Sequence, residues 1–589
     1  MKLRFAALLL ALSLALGLCA LPAVAEESID LMSLYKIRDT DAAWSAANAI
    51  AVDLNSVTGN NVTLTAAGDY VLSGSYSGQV VVEAPEDAKV RLILNGVSIV
   101  SPEGPAIYEK QANKLIVTLA ENTRNTLTDG PAVADGDDTI GAALYAEDDL
   151  SVNGSGALTV TGTAKHGIQS KADLILAGGD ITVTAVTDGI RGRNSVLLLD
   201  GRISVTAGGD GLAATRTDKE SKGWVVLAGG ALSVTTGSGA GTPRASANSR
   251  GGMRGGCGGW NGTAGTASAD SGVSQKAVKA ATDLTVLGGN YTFDCADDGL
   301  HGVNVTVNGG SFTIRTGDDG MHADSELTVN GGVIRIDQCY EGLEGANVTV
   351  NGGEVRVIAS DDGINASGGG DSSGFGGRGG DRFGGSSGML TIAGGQVEVT
   401  AGGDGLDSNG SLTISGGVVG VCCATTQGEG AIDFNGSGTF TGGTILLASN
   451  GGYMTSGMSG VTLIAIPMAG SGAAGDEITL ATAEGTVSFT PQSGFTSLAV
   501  AGNGTAQGQS VTVTVGGRQA FSGAVTADMA VSGNMSGFGG GRGGFGRNGF
   551  GRNGGDTDGT TEPGSADGLG NGQPAPGDRG FGGGKRRGR

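Results

Sequence analysis

Aromatic side chains and positive charge are both scarce in this chain. Phe, Trp and Tyr together make up 4% of its 589 residues, whereas 116 residues are glycine. This composition excludes a core packed around large rings and favours many short strands joined by tight turns. The length would accommodate several domains, but the composition predicts one elongated body with tails.

Lys and Arg number 36 against 58 Asp and Glu, which gives a formal net charge of -22. A surface of this sign excludes general binding to a phosphate backbone, so no nucleic acid is expected as a partner. After the first 25 residues, the sequence has no apolar run long enough to cross a bilayer, so no membrane span is expected either.

Residues 1–25 have the pattern of a secretory signal peptide. Lys2 and Arg4 precede an apolar run from Phe5 to Leu18, and Ala23-Val24-Ala25 offers small residues for cleavage. We therefore expect a secreted protein that works outside the cell or at its surface.

A pattern of about 21 residues recurs through the middle of the sequence. Each copy has an acidic residue, Gly, an aliphatic residue, a polar and a small residue, a short strand, Gly-Gly and a second short strand. The clearest copies begin at Asp298-Gly299-Leu300-His301-Gly302, Asp319-Gly320-Met321-His322-Ala323, Glu341-Gly342-Leu343-Glu344-Gly345 and Asp362-Gly363-Ile364-Asn365-Ala366. The aliphatic position, expected to be buried, falls at Leu144, Ile168, Ile190, Leu212, Val278, Leu300, Met321, Leu343, Ile364, Leu406 and Ile432.

After each Gly-Gly, apolar and polar residues alternate, as in Phe312-Thr313-Ile314. This period of two predicts strands with one inward face, and stacking of successive turns completes the core. The predicted fold is all-β: a single-stranded parallel β-helix whose glycines take corners that require positive φ. Cys295 and Cys339 lie two turns apart, too far for a disulfide, and are interpreted as small apolar fillers.

The flanking segments complete the predicted organisation. A β-rich N-terminal cap, or first coils, occupies 26–136 and includes a short helix around 41–49. The further segments are the β-helix at 137–450 with low-complexity insertions at 237–273 and 367–388, a β-rich C-terminal cap at 451–532 and a Gly/Arg/Asn-rich tail at 533–589. The insertions and the tail are predicted to be disordered. The basic end of the tail is a candidate contact with an anionic cell wall.

Three further motifs accompany the repeat: Lys165-His166-Gly167-Ile168, Tyr340-Glu341-Gly342-Leu343-Glu344-Gly345 and Asn125-Thr126-Leu127-Thr128-Asp129-Gly130. With them, the chain resembles a family of secreted bacterial carbohydrate-binding proteins whose parallel β-helix is like that of pectate lyases. The resemblance covers roughly residues 55–450. It implies binding of acidic plant cell-wall polysaccharide, such as polygalacturonate in pectin, with calcium bound to the β-helix. It does not by itself imply catalysis.

Coils stacked about 4.8 Å apart would align the acidic corners into a ladder. Like charges at this spacing repel, so a row of carboxylates favours a bound cation, and Ca²⁺ suits irregular oxygen ligands best. The predicted calcium ligands are Asp297, Asp298, Asp318, Asp319, Glu341, Asp361, Asp362 and Asp404. The alternative is that each Asp before Gly makes a local side-chain turn without any metal.

The residue after each buried aliphatic should point outward and form a second ladder: Gln169, Arg191, Ala213, Lys279, His301, His322, Glu344, Asn365 and Asp407. We predict that this row is a linear groove for an extended sugar chain, with Arg191, Lys279, His301, His322, Glu344, Asn365 and Asp407 as ligand-binding residues. Arg335 and Arg356, on adjacent coils, would bind uronate carboxylates bidentately. The alternatives are a solvated polar face and, for the two histidines, a metal pair.

The predicted function is that of a secreted, non-catalytic, monomeric carbohydrate-binding protein with acidic polysaccharide as its partner. Bound Ca²⁺ would reconcile a negatively charged ligand with a negatively charged chain. No catalytic residue is assigned. The alternatives are a surface adhesin or matrix protein, and a calcium-dependent lyase of the pectate type, which would need a basic residue to remove the proton next to the uronate carboxyl group.

Overall fold

The computed structural model describes residues 29–135, 138–242, 273–367, 388–423, 430–450, 452–454 and 458–531. The predicted signal peptide, most of both insertions and the C-terminal tail lie outside these ranges. The chain divides into two compact units, residues 1–538 and 539–589, and every described residue belongs to the first.

The described chain is all-β, as predicted. The helical segments in these ranges are one α-helical turn, α1 (Ile37–Thr40), and the 3₁₀ turns Leu31–Ser33, Leu54–Ser56 and Ala527–Met529. No helix in the described part of the chain is long and apolar enough to cross a membrane.

The first twenty strands lie before the first insertion. Strands β1 to β10 are Ile50–Asp53, Asn61–Leu64, Gly68–Ser77, Gln79–Glu83, Lys89–Val100, Ile107–Gln111, Lys114–Leu119, Arg124–Thr128, Val133–Asp135 and Asp138–Ile140. Strands β11 to β20 are Ala142–Ala146, Asp149–Gly154, Ala157–Gly162, His166–Ser170, Asp173–Ala185, Ile190–Gly192, Ser195–Ala207, Leu212–Ala214, Trp224–Leu227 and Ala231–Thr236.

The remaining strands follow that insertion. Strands β21 to β30 are Val278–Ala280, Asp283–Val286, Asn290–Cys295, Leu300–Val307, Ser311–Thr316, Met321–Val329, Val333–Cys339, Leu343–Val350, Glu354–Ala359 and Ile364–Ala366. Strands β31 to β41 are Met389–Ile392, Gln396–Ala401, Leu406–Ser408, Ser411–Ile414, Val418–Cys423, Gly430–Ile432, Gly438–Phe440, Thr444–Ser449, Gly452–Met454, Met458–Ser459 and Leu463–Ala465. Strands β42 to β47 are Ile478–Thr482, Gly485–Phe489, Ser497–Gly502, Ser510–Val515, Arg518–Ala524 and Ala530–Val531.

The predicted helix at residues 41–49 is wrong, because α1 ends at Thr40 and extended chain and turns follow it. A tertiary contact replaces the helix here: Arg91 Nη1 donates to the Ala43 carbonyl oxygen at 2.7 Å. Asp39, within α1, is buried and pairs with Lys114 Nζ at 2.5 Å. The N-terminal segment is therefore fixed by polar contacts with the strands beneath it, which override local helix propensity.

Successive repeats pair in parallel through their predicted aliphatic positions, and we call each repeat a coil. Met321 pairs with Leu300 of the preceding coil and with Leu343 of the following one. All of the predicted aliphatic residues are 0% exposed. The in-register pairing of coils continues past both insertions, since Leu212 pairs with Val278 and Ile364 pairs with Leu406.

The parallel pairing extends beyond residues 137–450. Val80 pairs with Ile107 and Ile107 with Leu144, and at the other end Ile432 pairs with Met454. The stack changes direction at β44, which pairs with β38 in the antiparallel sense. A separate antiparallel sheet, in the order β43-β42-β45-β46, follows in the C-terminal segment.

The core contains small and aliphatic side chains together with one aromatic cluster, in which the rings of Tyr291 and Phe312 lie 4.9 Å apart. Cys295 and Cys339 are free and 0% exposed, which confirms their interpretation as apolar fillers.

Glycine has two separate purposes in each coil. The second glycine of Gly-Gly has positive φ, 99° at Gly332 and 87° at Gly353. The glycine after the acidic corner does not, so the positive-φ prediction is wrong for that row. At Gly363 an added Cβ would lie 2.0 Å from Val399 Cγ1 and 2.6 Å from the Gly405 carbonyl oxygen. Close approach between coils, rather than backbone conformation, requires glycine at that position.

We expect Gly363→Ala to lower the free energy of unfolding by about 1–3 kcal/mol or more, because the new methyl group overpacks the core. Chemical denaturation would measure the loss. Gly470→Ala is the control, since a Cβ there would meet nothing within 4 Å. Equal unfolding midpoints for the two variants would contradict the close packing of the corner.

Candidate functional site

The acidic corners stack along one edge of the coils. Gly299 N–H donates to the Asp319 carbonyl at 3.0 Å, and Gly320 N–H donates to the Glu341 carbonyl at 2.9 Å. The side chains add a bond in the reverse direction, since Asp298 Oδ1 accepts from the Asp319 N–H of the following coil at 3.1 Å. The equivalent bond to the next coil recurs at Asp188, Asp210, Asp362 and Asp404. These carboxylates therefore link neighbouring coils.

The residues after the buried aliphatics form a second row in continuous register: Gln169, Arg191, Ala213, Lys279, His301, His322, Glu344, Asn365 and Asp407. The rings of His301 and His322 stack with centroids 5.0 Å apart. His301, His322 and Asn365 are 8%, 2% and 4% exposed, so the side chains at the centre of the row do not point out into solvent as predicted. The side chains of Arg191 and Lys279 remain about one-third exposed.

The two rows touch each other. His301 Nδ1 lies 3.1 Å from Asp298 Oδ2, and Asn365 Nδ2 donates to Glu341 Oε2 at 2.8 Å. The two predicted sites are therefore one surface, which we call the polar seam. It comprises the corner residues Asp188, Asp210, Lys276, Asp298, Asp319, Glu341, Asp362 and Asp404 and the row residues Arg191, Ala213, Lys279, His301, His322, Glu344, Asn365 and Asp407.

Basic side chains of the chain itself face the acids in the first half of the polar seam. Arg191 Nη1 lies 2.9 Å from Asp188 Oδ2, and Lys279 Nζ lies 4.0 Å from Asp210 Oδ2. The basic residues of the row thus contact corner carboxylates, and we infer that they balance the negative charge there.

Lys276 is a member of the polar seam that sequence reasoning missed. Its side chain is 0% exposed, its Nζ pairs with Asp298 Oδ2 and the same Nζ lies 3.3 Å from Asp297 Oδ2. Burial raises the pKa of Asp298, but Lys276 and His301 lower it further, so the net shift is downward. The sequence did contain a signal for Lys276: Lys276-Ala277-Val278 aligns with Asp298-Gly299-Leu300, which places the lysine at the corner position. Two predicted calcium ligands are therefore already paired with an ammonium group.

His322 occupies the middle of the polar seam. Its Nδ1 lies 3.1 Å from Asp319 Oδ2 and 2.6 Å from Glu344 Oε2, and its Nε2 lies 3.6 Å from Asp324 Oδ1. Burial lowers the pKa of His322, but contacts with these three carboxylates raise it more, so the net shift is upward. A raised pKa favours the imidazolium form, in which neither ring nitrogen has a lone pair to offer a metal. Asp324 was not predicted from the sequence.

Negative charge accumulates after His322. The row continues as Glu344, Asn365 and Asp407, while the corner residues Glu341, Asp362 and Asp404 stay acidic. Glu341 is buried. Burial and then the nearby charges of Glu344, Asp319 and Asp362 raise the pKa of Glu341 well above its usual value.

Three groups of side chains in the described residues bring possible ligand atoms within 4.8 Å of one another: Asp297 with Asp298 and Asp318, Asp319 with His322 and Glu344, and Asp404 with Asp407 and Asp433. Lys276 and His322 give the first two groups a cation from the chain. The third group consists of carboxylates, the hard oxygen donors that Ca²⁺ prefers. Asp433 was not predicted, although it follows Ile432 and so takes the next row position.

Other predicted residues lie beside or away from the polar seam. Asp361 precedes the corner residue Asp362, and its N–H donates to the Tyr340 carbonyl at 3.0 Å. Arg335 and Arg356 pair in register on β27 and β29, whereas the row residues of the same coils lie on β26, β28 and β30. The arginine pair therefore occupies a different strand of the coil from the polar seam.

The row also continues toward the N-terminus with aromatic residues that sequence reasoning missed. Tyr108 pairs with Tyr145, and their rings meet edge to face at 5.6 Å. Both rings are buried, and they form a small apolar cluster with Ile140 and Val133 of the hairpin β9–β10. Their place in the row could have been predicted from the sequence, because each tyrosine directly follows an aliphatic residue of the buried row.

A family model described as "Carbohydrate-binding domain-containing protein" matches residues 58–320 and 319–524, most of the chain and nearly all of its stacked coils. The chain belongs to this family. The chain is 36% identical over 142 residues to a carbohydrate-binding domain-containing protein of Acetivibrio thermocellus. The matched segment is 23% of this chain and 50% of that protein. It thus spans about half the length of the curated relative it matches.

A solved structure similar to this carbohydrate-binding family member is entitled "Structure of the polysaccharide lyase-like protein from C. thermocellum, Gadolinium derivative". The two chains are 25% identical, the match covers 48% of this chain and 96% of the other, and the TM-score is 0.35.

We expect Glu341→Gln to stabilise the protein at pH 8 but not at pH 4.5 when a chelator is present. Because the folded pKa of Glu341 is raised, its stability contribution is fully present below the unfolded pKa and is lost as pH rises through the folded pKa. Glutamine removes that loss. Thermal unfolding of both proteins at the two pH values would measure the difference.

Glu326→Gln is the matched control, because Asn347 Nδ2 donates to Glu326 across coils at 2.6 Å in an exposed position. We expect this variant to change the melting temperature little at either pH. A Glu341→Gln effect of the same size at pH 4.5 and pH 8 would contradict the electrostatic explanation.

Proposed function

We propose that this protein is a non-catalytic binder of acidic polysaccharide that holds Ca²⁺ at the C-terminal end of the polar seam. The observation that carries the proposal is the change of charge along the seam. Arg191, Lys276 and His322 pair with acids in the first part, whereas Asp404, Asp407 and Asp433 converge at the end. Converging carboxylates of this kind match the six to eight oxygen ligands that Ca²⁺ takes.

The proposed architecture is a single-stranded parallel β-helix of the pectate-lyase type. Parallel pairing of each coil with the next supports it, as do the unbroken rows of buried aliphatics across both insertions. Such a stack presents equivalent residues as a straight line, which suits an extended polymer.

The ligand we propose is a uronate polymer such as polygalacturonate. Bound Ca²⁺ would invert the local field at Asp404, Asp407 and Asp433 and bridge protein and uronate carboxylates. Arg191 and Lys279, which are partly exposed, would add direct contacts further along the same seam. Arg335 and Arg356 form a separate candidate contact on another strand of the coil.

We propose binding rather than lyase chemistry because the basic groups of the polar seam are engaged in ion pairs. Arg191 pairs with Asp188, Lys276 with Asp298, and His322 with Asp319 and Glu344. A general base must accept a proton from the substrate, and a protonated side chain held in an ion pair has no lone pair to accept it. The family description names carbohydrate binding and is consistent with this proposal.

The proposed setting is outside the cell. The signal-peptide pattern of residues 1–25 would direct secretion, and the basic end of the tail, Lys585-Arg586-Arg587-Gly588-Arg589, would hold a monomer to an anionic wall. An adhesin with the same polysaccharide ligand would share these features.

We expect the double variant Asp404→Asn and Asp407→Asn to weaken Ca²⁺ binding about tenfold or more, since two charged ligands are lost. Asparagine retains an acceptor for the Gly430 N–H that Asp404 binds. Isothermal titration with Ca²⁺, and then with polygalacturonate in Ca²⁺ buffer, would measure both affinities. Asp180→Asn, an exposed change on β15, is the control.

Full polygalacturonate affinity in the double variant, or in wild type with excess chelator, would contradict the calcium bridge. Incubation of wild-type protein with polygalacturonate and Ca²⁺ should release no unsaturated product. A steady rise in the absorbance of that product would instead establish the lyase.

A further inference from the structure

Lys276 takes the place of a corner acid without changing the backbone around it. Gly211 N–H donates to the Lys276 carbonyl at 2.9 Å, as Gly299 N–H donates to the Asp319 carbonyl in a later coil. The Lys276 N–H donates to Asp210 Oδ1 at 2.9 Å, the same bond that Asp319 N–H makes to the preceding corner. One position in the stack therefore carries reversed charge on an otherwise repeated corner.

The Lys276 ammonium enters a group of carboxylates in the following coils. It pairs with Asp298 and lies 3.3 Å from Asp297, and both of these have oxygens within 4.8 Å of Asp318. The lysine side chain is 0% exposed, and the side chain of Asp298 is 2% exposed. A Ca²⁺ ion bound by these oxygens would lie about 2.4 Å from them and therefore close to the ammonium, so the two cations would repel each other strongly.

We propose that Lys276 is a built-in cation that fills the Asp297–Asp298–Asp318 group and excludes a divalent ion from it. Its compact ammonium supplies the positive charge that these acids require and remains in place whatever the metal concentration. External Ca²⁺ is then confined to the acidic end of the polar seam, a consequence that rests on the proposed function. The exclusion itself does not depend on any other ion being bound.

The test is the variant Lys276→Met, in which an apolar side chain of similar length replaces the ammonium. Equilibrium dialysis with Ca²⁺ should find one more bound ion per chain than in wild type. Lys222→Met is the control: this lysine also pairs with a carboxylate, Asp173 at 3.0 Å, but it is partly exposed and lies outside the polar seam. It should leave the number of bound ions unchanged.

A Lys276→Met protein that binds no additional Ca²⁺ would overturn the proposal. If wild type binds no Ca²⁺ and Lys276→Met binds one ion, the proposed calcium function fails while the role of Lys276 stands. A variant that folds in millimolar Ca²⁺ and unfolds in chelator would support the proposal, because the metal then replaces the missing ammonium.

A second variant decides the question if Lys276→Met folds under neither condition. Asp297→Asn in the otherwise wild-type chain changes a partly exposed member of the group, 14% exposed at its side chain. We expect the number of bound Ca²⁺ ions to stay the same, because Lys276 already fills the group. Loss of one ion in Asp297→Asn would show that metal binds there and would overturn the proposal.

Discussion

In-register stacking of the coils is the constraint on which the rest of the molecule depends. Because Leu343 occupies the core position of Met321 one coil later, Glu344 must lie beside His322. The same stacking sets the acidic corners about 4.8 Å apart, where two like charges repel by about 1 kcal/mol in water and several-fold more in a partly buried site. A buried row of acids therefore needs nearby cations or members that stay protonated, as the raised pKa of Glu341 favours.

The described charge contacts differ between the two parts of the polar seam. Arg191, Lys276 and His322 are placed along one part of the polar seam, each within hydrogen-bonding distance of a corner or row carboxylate. At the other end, acids occupy both the corner and the row, and Asp404, Asp407 and Asp433 converge. The described contacts therefore differ between the two ends of the seam, and the end where the three carboxylates converge is where we propose the metal.

The repeat made the stacking predictable, but not everything that the stacking brings together. The aliphatic residues recur with a nearly constant period, so their pairing followed from spacing, even across the insertions at 237–273 and 367–388. Lys276 was overlooked because the pattern specified an acid at that corner. The contacts of His322 include Asp324, which lies outside the repeated positions. The predicted helix at 41–49 was wrong: extended chain and turns occupy this segment, where Arg91, distant in sequence, donates to the Ala43 carbonyl oxygen.

Anomalous diffraction from crystals of the full chain grown with Ca²⁺ would test the central claim most directly, because it locates each ion among the stacked carboxylates. We expect an anomalous peak between Asp404, Asp407 and Asp433 and none among Asp297, Asp298 and Asp318. A peak in the group that contacts Lys276, with none at the C-terminal end of the polar seam, would contradict this expectation.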